Sequence, residues 1–294
     1  MDITQDKLLD DFEKYNKCDQ NFRSHLGVSI IGDDCARKIF LSFRFAKKEK
    51  FTARQTTIFD LGHFIEKLVI DKLRKIKHFS VFAPNKQYKI VDCFGHLGGS
   101  LDGIVVYNNE AYVLEVKSHK NSSYTQFKKH GVIKSHYQHY IQSNIYAVKT
   151  GISKILYAAL NKDTGEISFE ILPVNIKKAK LFIEKAYDII FNNFSPPLSL
   201  DSRYFKCKMC PYYSICFEQE QLKKHCRNCV NSVPLKAIKD GDKNKNDKSV
   251  FYIYGDNSII EPNWICSKHL STKNSFDCDS LIAEYCNEYL PISF

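Results

Sequence analysis

The sequence of 294 residues has no internal repeat, no low-complexity segment and no long run of apolar residues. A membrane-spanning helix needs about 18 or more such residues in a row. The N-terminal segment, MDITQDKLLDDFEKYNK, is acidic and polar, which argues against a secretory signal. We therefore expect an intracellular, cytoplasmic protein without a membrane span. In that compartment the eleven cysteines are not expected to form disulfides.

The composition indicates a globular protein with a polyanionic partner. The hydrophobic content of 44% is enough for one sizeable core and a smaller appendage. There are 43 Lys and Arg residues against 33 Asp and Glu residues, which gives a formal charge of +10. A positive balance favours polyanions such as nucleic acid as partners.

Acidic and basic residues mark a predicted hairpin in the middle of the chain. Segments 97–107 (LGGSLDGIVVY) and 111–118 (AYVLEVKS) are rich in strand-forming residues, and Asn108-Asn109-Glu110 separates them as a turn. Side chains alternate along a strand, so Glu115 and Lys117 share one face while Val116 points into the core. With Asp102 on the first strand, the hairpin can place two carboxylates and one ammonium in one cleft.

Such a cleft suits a divalent cation. Two carboxylates held close together repel each other unless a cation lies between them, and oxygen ligands suit Mg²⁺ or Mn²⁺. The ion can polarise a phosphoryl oxygen and activate a water molecule, which predicts cleavage of phosphodiester bonds. Lys117 would orient that water or offset charge on the phosphate. The alternative is a solvated hairpin whose polar face happens to carry these three residues.

The rest of the chain alternates predicted helices and strands, which favours an α/β fold with a mixed sheet flanked by helices. The helix at 55–76 has one apolar stripe, made of Ile58, Leu61, Ile65, Leu68, Val69 and Leu73. Gly151 is the expected C-terminal cap of the helix at 134–150, and Pro196-Pro197 marks the edge of the core. The predicted helices are 4–16, 29–45, 55–76, 123–131, 134–150 and 174–194, and the predicted strands are 80–84, 87–93, 97–107, 111–118, 154–162 and 166–172.

Two further groups of residues bear on the hairpin. His63 lies on the helix at 55–76, between Gly62 and Glu66, and a neutral imidazole can be a third ligand of the cation. Gln142 and Tyr146 are four residues apart on a helix and share a face, from which they can contact a phosphate or a base. The alternatives are an ordinary surface histidine and an ordinary polar helix face.

In this order the motifs resemble the RecB-type branch of the PD-(D/E)xK nucleases. The resemblance covers roughly residues 25–220, and Ser29-Ile-Ile-Gly-Asp-Asp-Cys35-Ala-Arg37-Lys38 is similar to the N-terminal segment of that family. Leu101 stands where many members have proline before the first acid. The resemblance implies a restriction-endonuclease-like core in which His63, Asp102, Glu115 and the Val116 carbonyl bind the divalent ion. It also implies that Lys117 is the catalytic lysine and that Gln142 and Tyr146 hold DNA. Glu66 would either contact the ligands of the ion or act as an additional ligand through water.

Three cysteines follow the core at metal-ligand spacing, as Cys207-x2-Cys210-x5-Cys216. The resemblance supplies the fourth ligand, because Cys35 matches the distant cysteine that completes a [4Fe-4S] cluster in the iron-sulfur members, which include phage and CRISPR-associated exonucleases. The alternatives are a Zn²⁺ ion held with another local cysteine, since four thiolates suit both, or no metal at all.

A second cysteine set predicts a zinc-ribbon-like tail. Cys226-x2-Cys229 and a more distant pair, Cys266 and Cys278, would close a structural Zn²⁺ site, with His269 as the rival fourth ligand. We expect Cys18, Cys93 and Cys286 to act as small hydrophobic residues. The predicted domains are a nuclease core at 1–200, an iron-sulfur segment at 201–220 and the tail at 221–294.

The leading hypothesis is a metal-dependent DNA exonuclease that acts in recombination, replication or DNA degradation. One alternative is a non-catalytic DNA-binding protein on the same fold, and another is an endonuclease. Whether the chain forms a homo-oligomer or joins a recombination or replication protein is left open. A nuclease without a helicase domain suggests a phage or mobile-element enzyme, and a phage enzyme would act in the host cytoplasm.

Overall fold

A computed structural model describes residues 4–19, 23–48, 50–83, 88–222, 224–236, 263–268, 271–274 and 286–292. Its architecture is mixed α/β, with a central sheet between layers of helices. The helices are α1 (Gln5–Asn16), α2 (Ala36–Phe43), α3 (Ala53–Leu73), α4 (Asn121–Ser135), α5 (Tyr137–Thr150), α6 (Ile176–Phe191), α7 (Phe205–Lys208) and α8 (Tyr213–Phe217). Short 3-10 turns cover Val28–Ile30, Cys93–Gly95 and Cys226–Asn228.

Within the described residues the strands form four sheets, of which the largest has five strands in the order β10-β9-β8-β7-β4. A three-stranded sheet, β2-β6-β5, adjoins it, and the other two sheets are the pair β1-β3 and the tail sheet β11-β12-β13. The strands are β1 (Cys18–Asp19), β2 (Leu26–Gly27), β3 (Lys50–Phe51), β4 (Phe79–Phe82), β5 (Tyr88–Asp92), β6 (Leu97–Leu101), β7 (Gly103–Tyr107), β8 (Glu110–His119), β9 (Lys154–Asn161), β10 (Ile167–Pro173), β11 (Ser232–Pro234), β12 (Asn263–Cys266) and β13 (Ser271–Asn274).

The five-stranded sheet is mixed, and helices cover both of its faces. Strands β8 and β9 are parallel, while the other neighbours in this sheet are antiparallel. The parallel step is connected through α4 and α5, which pack with α6 on the face that carries Val113 and Tyr157. The buried residues of α3 pack on the opposite face, against Leu114 and Val116. The predicted mixed sheet flanked by helices is confirmed.

The turn of the predicted hairpin lies between β7 and β8, but it is one residue shorter than expected, because Glu110 already belongs to β8. Tyr107 pairs with Glu110, which leaves a two-residue turn of Asn108 and Asn109. Both asparagines have positive φ, at 47° and 63°. A two-residue turn with two positive φ angles matches the twist of the flanking strands, and asparagine tolerates this conformation better than most residues.

The expectation of one strand over 97–107 is wrong, because the chain changes sheets at Asp102. Leu97–Leu101 pairs with β5 and β2, whereas Gly103–Tyr107 pairs with β8 and β4. The Asp102 side chain accepts the hydrogen bond of the Val116 N–H, which a backbone carbonyl would otherwise take. The ladder between the two hairpin strands therefore ends at this residue.

The expected helix at 29–45 and the expected stripe on α3 also need correction. The helix begins only at Ala36, and Cys35 caps it by accepting a hydrogen bond from the Lys38 N–H. On α3 the C-terminal part of the stripe is buried, but Ile58 and Leu61 are 43% and 41% exposed. The sheet supports only the second half of this helix.

Part of the tail packs into the main core. Trp264 is fully buried, and its ring stacks on Phe43 at 5.3 Å between centroids. The guanidinium groups of Arg44 and Arg227 lie 5.1 and 4.8 Å from the Trp264 ring centroid. Arg44 also donates hydrogen bonds to the carbonyl groups of Arg227 and Ser232. Aromatic stacking and cation–π contacts therefore join the described part of the tail to α2.

Candidate active site

Asp102 lies where β6 ends and β7 begins, so two sheets fix its position. Its side chain is 8% exposed, and its Oδ2 accepts a hydrogen bond from the Val116 N–H at 2.8 Å. Because Val116 is the middle residue of Glu115-Val116-Lys117, this bond holds the carboxylate beside the other two charged groups.

Glu115 and Lys117 lie together on one face of β8. The Glu115 side chain is fully buried, and its Oε1 forms an ion pair with the Lys117 ammonium group, whose side chain is 26% exposed. Among the described residues, Oε2 of Glu115 has no hydrogen-bond partner. A buried carboxylate oxygen without a partner is costly unless another group satisfies it, so this atom is a candidate ligand for a cation.

The cluster has more acidic than basic groups, two carboxyl groups against one ammonium group. Burial raises the pKa of Asp102 well above its ordinary value, and the Glu115 carboxylate raises it further. Burial also raises the pKa of Glu115, although the Lys117 ammonium opposes that shift. For Lys117, burial favours the neutral form, but Glu115 and Asp102 outweigh it and raise its pKa. Two carboxylates held near one ammonium group leave room for additional positive charge.

A third acid, Glu66 on α3, belongs to this electrostatic cluster. Its negative charge raises the pKa of both Asp102 and Glu115. His63, one turn earlier on α3, is exposed. In the part of the chain that the structure describes, no hydrogen bond or ring contact links His63 to either hairpin acid. The role of His63 as a ligand stays a prediction, and Glu66 is the residue of α3 whose charge reaches the site.

Gln142 and Tyr146 form a buried wall next to the acids. They are 6% and 2% exposed, and the Gln142 Nε2 donates a hydrogen bond to the Tyr146 hydroxyl at 3.3 Å. Burial raises the pKa of Tyr146, and the Glu115 charge adds to the shift. A Cβ atom on Gly99 would lie 2.5 Å from the Tyr146 hydroxyl, so only glycine permits this approach. The two side chains share a face as expected, but that face is buried, and DNA contact by them stays a prediction.

The row of polar side chains on β8 continues beyond Lys117 to His119. His119 is 6% exposed and contacts Tyr157, which is fully buried on β9. Neither residue was assigned a role from the sequence. The alternation that pairs Glu115 with Lys117 also places His119 on the same face, so the signal for His119 was present in the sequence.

The four cysteines of the predicted iron-sulfur site line one cavity of about 290 Å³. Cys35 at the start of α2 faces Cys207, Cys210 and Cys216 from α7, α8 and the segment between them. Burial raises the pKa of the Cys210 and Cys216 thiols, and each is also affected by the Cys35 charge. The fold therefore brings the distant Cys35 to the local trio.

Three of the predicted zinc ligands are described, while Cys278 and the rival ligand His269 lie outside the described residues. Cys229 is buried, and Cys226 and Cys266 are half-buried. Burial raises the pKa of Tyr289 to about 12, and the charges of Cys229 and Cys226 add to the shift. The segment at 286–292 pairs with this region, because the Val230 N–H donates to the Leu290 carbonyl. This segment also carries Cys286, a half-buried cysteine that was not among the predicted zinc ligands.

Among the described residues, no group of three or more His, Cys, Asp or Glu side chains is placed closely enough to hold a metal ion. None of the described helices combines the length and the apolar character needed to cross a membrane.

Comparisons with known proteins find distant structural likenesses, including the following three. The crystal structure of SSO0001 is 17% identical with a TM-score of 0.43, over 69% of this chain and 90% of that chain. An alkaline exonuclease from Laribacter hongkongensis, LHK-Exo, is 11% identical with a TM-score of 0.41, over 60% and 90% of the two chains. LHK-Exo in complex with dAMP is 10% identical with a TM-score of 0.42, over 56% and 85%. No protein-family model and no curated protein matches the sequence.

Proposed function

We propose that the protein is a divalent-metal-dependent deoxyribonuclease, with exonuclease activity as the leading form. The proposal rests on the convergence of Asp102, Glu115 and Lys117 at the junction of two sheets. Two carboxylates with raised pKa values and an unpartnered carboxylate oxygen are a costly arrangement in a protein interior. Strain of this kind is expected where function requires it.

The donor set fits Mg²⁺ or Mn²⁺. Asp102 and Glu115 would supply carboxylate oxygens, and the resemblance adds the Val116 carbonyl and His63. Oxygen donors with a net negative charge suit these hard cations. When bound, such an ion polarises a phosphoryl oxygen and lowers the pKa of a water molecule.

The remaining side chains have separate tasks in hydrolysis. Lys117 keeps its proton because the acids raise its pKa, so it offsets negative charge that develops on the phosphate. Glu66 adds negative charge on the α3 side and favours cation binding. The Gln142–Tyr146 pair keeps the wall of the site rigid, and contact of this pair with the DNA strand completes the proposal.

DNA is the proposed substrate, and ends are the proposed site of attack. The formal charge of +10 favours a polyanion, and the resemblance to RecB-type nucleases favours DNA. The charged cluster suits cleavage of internal and of terminal phosphodiester bonds equally well. The exonuclease assignment comes from the resemblance alone.

A [4Fe-4S] cluster is proposed at Cys35, Cys207, Cys210 and Cys216. All four thiols line one cavity of about 290 Å³. A four-iron cluster occupies a volume between its thiolate ligands, whereas the four ligands of a zinc ion all contact one atom. Four cysteines that line one cavity are compatible with a cluster, which the resemblance to the iron-sulfur members favours over one ion. Bound there, it would tie α7 and α8 to the start of α2.

A structural Zn²⁺ ion is proposed for the tail, with Cys226, Cys229 and Cys266 as three of its ligands. Thiolates in a tetrahedral set suit zinc, and a small module gains much of its stability from such an ion. Cys278 remains the proposed fourth ligand and His269 its rival. Iron and zinc analysis of anaerobically purified protein tests both metal proposals in one preparation.

The direct test of function uses linear and sealed circular DNA with Mg²⁺, with Mn²⁺ and with a chelator. Shortening of linear DNA with the circle left intact, and only with a divalent ion, is the expected result for an exonuclease. Opening of the circle would indicate an endonuclease. Binding without cleavage under every divalent ion would indicate a non-catalytic DNA-binding protein.

Lys117→Ala gives the matched test of mechanism. We expect the variant to lose cleavage because the ammonium group beside the acids is gone. Lys129→Ala removes a similar charge from an exposed position on α4 and serves as the control. Cleavage by Lys117→Ala at the wild-type rate with Mn²⁺ would overturn the catalytic assignment.

A further inference from the structure

Three histidines and two hydroxyl residues form a cluster beside Lys117 that the proposed hydrolysis does not use. His119 follows Lys117 on the same face of β8, and Tyr157 lies beside it on β9. His139 shares the inner face of α5 with Gln142. His136 lies just before α5, where its ring is 4.3 Å from that of His119 and 5.3 Å from that of His139, between centroids.

The hydrogen bonds of this cluster fix where each proton lies at its outer end. The Ser135 hydroxyl donates to the Gly131 carbonyl at 2.6 Å, so it has no proton left for His136. The His136 Nδ1 must therefore carry the proton of its 2.8 Å bond to Ser135. In a neutral imidazole the other nitrogen is then an acceptor, so the Ser123 hydroxyl donates to the His136 Nε2 at 2.7 Å.

The donors of the remaining hydrogen bonds, from Ser123 to His139, follow in the same way. Because the Ser123 proton is committed, its oxygen accepts from the His119 Nδ1, at 3.5 Å the longest link of the chain. The His119 Nε2 then accepts from the Tyr157 hydroxyl at 3.1 Å. The Tyr157 oxygen in turn accepts from the His139 Nδ1 at 2.8 Å. Every donor points away from His139.

His139 is therefore the basic end of a directed chain. Among the described residues, no hydrogen bond reaches its Nε2. Because the proton of this neutral ring is on Nδ1, the Nε2 is left as a free acceptor. Lys117 lies close enough to His139 and to His119 to lower the pKa of both. The free nitrogen thus belongs to the ring on the Lys117 side, while His136 lies at the other end of the chain, and both of these histidines are half-buried.

A metal site is the other use that three imidazoles suggest, and the hydrogen bonds argue against it. Five of the six ring nitrogens already have a hydroxyl partner. Hydroxyl bridges between imidazoles are instead the arrangement of a proton-conducting chain, in which each group both accepts and donates.

Burial keeps these imidazoles neutral, because it lowers the pKa of all three. Burial lowers the pKa of His139 to about 3, with Lys117 and the other two histidines adding to the shift. It lowers the pKa of His119 to about 4, and it also lowers that of His136. None of these rings therefore retains a proton that it receives, so the proton can move along the chain.

We propose that His139, Tyr157, His119, Ser123 and His136 form a path that carries a proton from the hydrolytic site to solvent. This inference rests on the proposed nuclease function. As the oxygen of a water molecule bonds to phosphorus, its proton goes to the His139 Nε2. The His139 Nδ1 proton passes to Tyr157, the Tyr157 proton to His119, the His119 proton to Ser123, and the Ser123 proton to His136. The P–O bond to the departing strand breaks, its oxygen takes a proton from water, and His136 releases a proton to buffer.

Tyr157→Phe tests the path with little change in volume, because it removes the one hydroxyl that joins His119 to His139. In dilute buffer we expect kcat to fall roughly tenfold to a hundredfold. A positioned acid or base contributes about a hundredfold or more, so this loss is at or below the lower end of that range. KM for DNA should stay unchanged, and added imidazole should restore the rate by replacing the missing carrier. Tyr124→Phe is the control, because it removes a buried hydroxyl that bonds Ser168 outside the path. A Tyr157→Phe rate equal to that of the control, or a loss that imidazole does not relieve, would overturn the proposal.

A second measurement does not depend on activity. Nitrogen-15 NMR of the histidine side chains in the wild-type protein should find His119, His136 and His139 all protonated at Nδ1. Free histidine favours the Nε2–H form, so three Nδ1–H rings would be distinctive. Nε2–H signals from these residues would refute the directed chain even if the protein cleaves DNA. Absence of cleavage by the wild-type protein, with the tautomers as expected, would refute the proposed function and with it any role of the chain in hydrolysis.

Discussion

Removal of the Asp102 charge is expected to change how the stability of the metal-free protein depends on pH. Burial and the Glu115 carboxylate hold the pKa of Asp102 well above the ordinary value of 3.8. Between the ordinary and the raised pKa, the folded protein therefore keeps a proton that the unfolded chain has lost. Because the folded state binds more protons there, the free energy of unfolding falls as pH rises.

The size of this effect follows from proton linkage. One proton held by the folded state alone makes the free energy of unfolding fall by about 1.4 kcal/mol per pH unit. Asp102 and Glu115 titrate together, so the slope belongs to the pair. Asp102→Asn is neutral at every pH, and its side-chain oxygen can still accept the Val116 N–H. The variant should thus gain stability relative to the wild type as pH rises, by up to that slope.

Urea unfolding at pH 5, 6 and 7 in the presence of a chelator measures the difference. Asp71→Asn is a suitable control, because Asp71 is an exposed acid on α3 that pairs with Arg74. We expect the stability difference between Asp102→Asn and wild type to grow with pH, and that of Asp71→Asn to stay nearly constant. Parallel pH curves for Asp102→Asn and wild type would refute the buried acid pair.

Three further predictions concern other parts of the molecule. Gly99→Ala should lower the free energy of unfolding by about 1–3 kcal/mol, measured by thermal unfolding, because its Cβ would press on the Tyr146 hydroxyl; an unchanged melting temperature would contradict this packing. Cys35→Ser should reduce iron content and the absorbance at about 400 nm, while the exposed Cys18→Ser should retain both; equal spectra would count against the cluster. Trp264→Ala should cost about 3–5 kcal/mol, because the ring is fully buried in the core; denaturant unfolding checks this, and a near-neutral effect would show that the tail contributes little.

The sequence predicted the local features of the site, because local rules determine them. Two asparagines specify the turn between β7 and β8, and the alternation of β8 sets which side chains share a face. The placement of Glu115 beside Lys117 follows from that alternation alone. Helix α5 and its left-handed cap at Gly151 were predicted for similar local reasons.

Features that depend on distant partners were missed. The strand break at Asp102 depends on a side-chain bond to Val116 and on pairing partners far away in sequence. Gln142 and Tyr146 suggested a polar surface, but each satisfies the other inside the protein. A polar pattern alone does not tell an exposed face from a buried one whose groups are paired. The two histidine partners of Tyr157 were missed because they too depend on contacts between distant parts of the chain.

The most direct test of the central claim compares Glu115→Gln with Glu110→Gln in cleavage of linear DNA with Mn²⁺. Both residues lie on β8, but Glu115 is fully buried with Lys117, whereas Glu110 is exposed and pairs with Lys154. We predict that Glu115→Gln lowers the rate by about a hundredfold or more, since even outer partners of metal ligands contribute 10–100-fold. Glu110→Gln should cleave at the wild-type rate. Equal rates for the two variants would contradict a hydrolytic site built on the paired acids and Lys117.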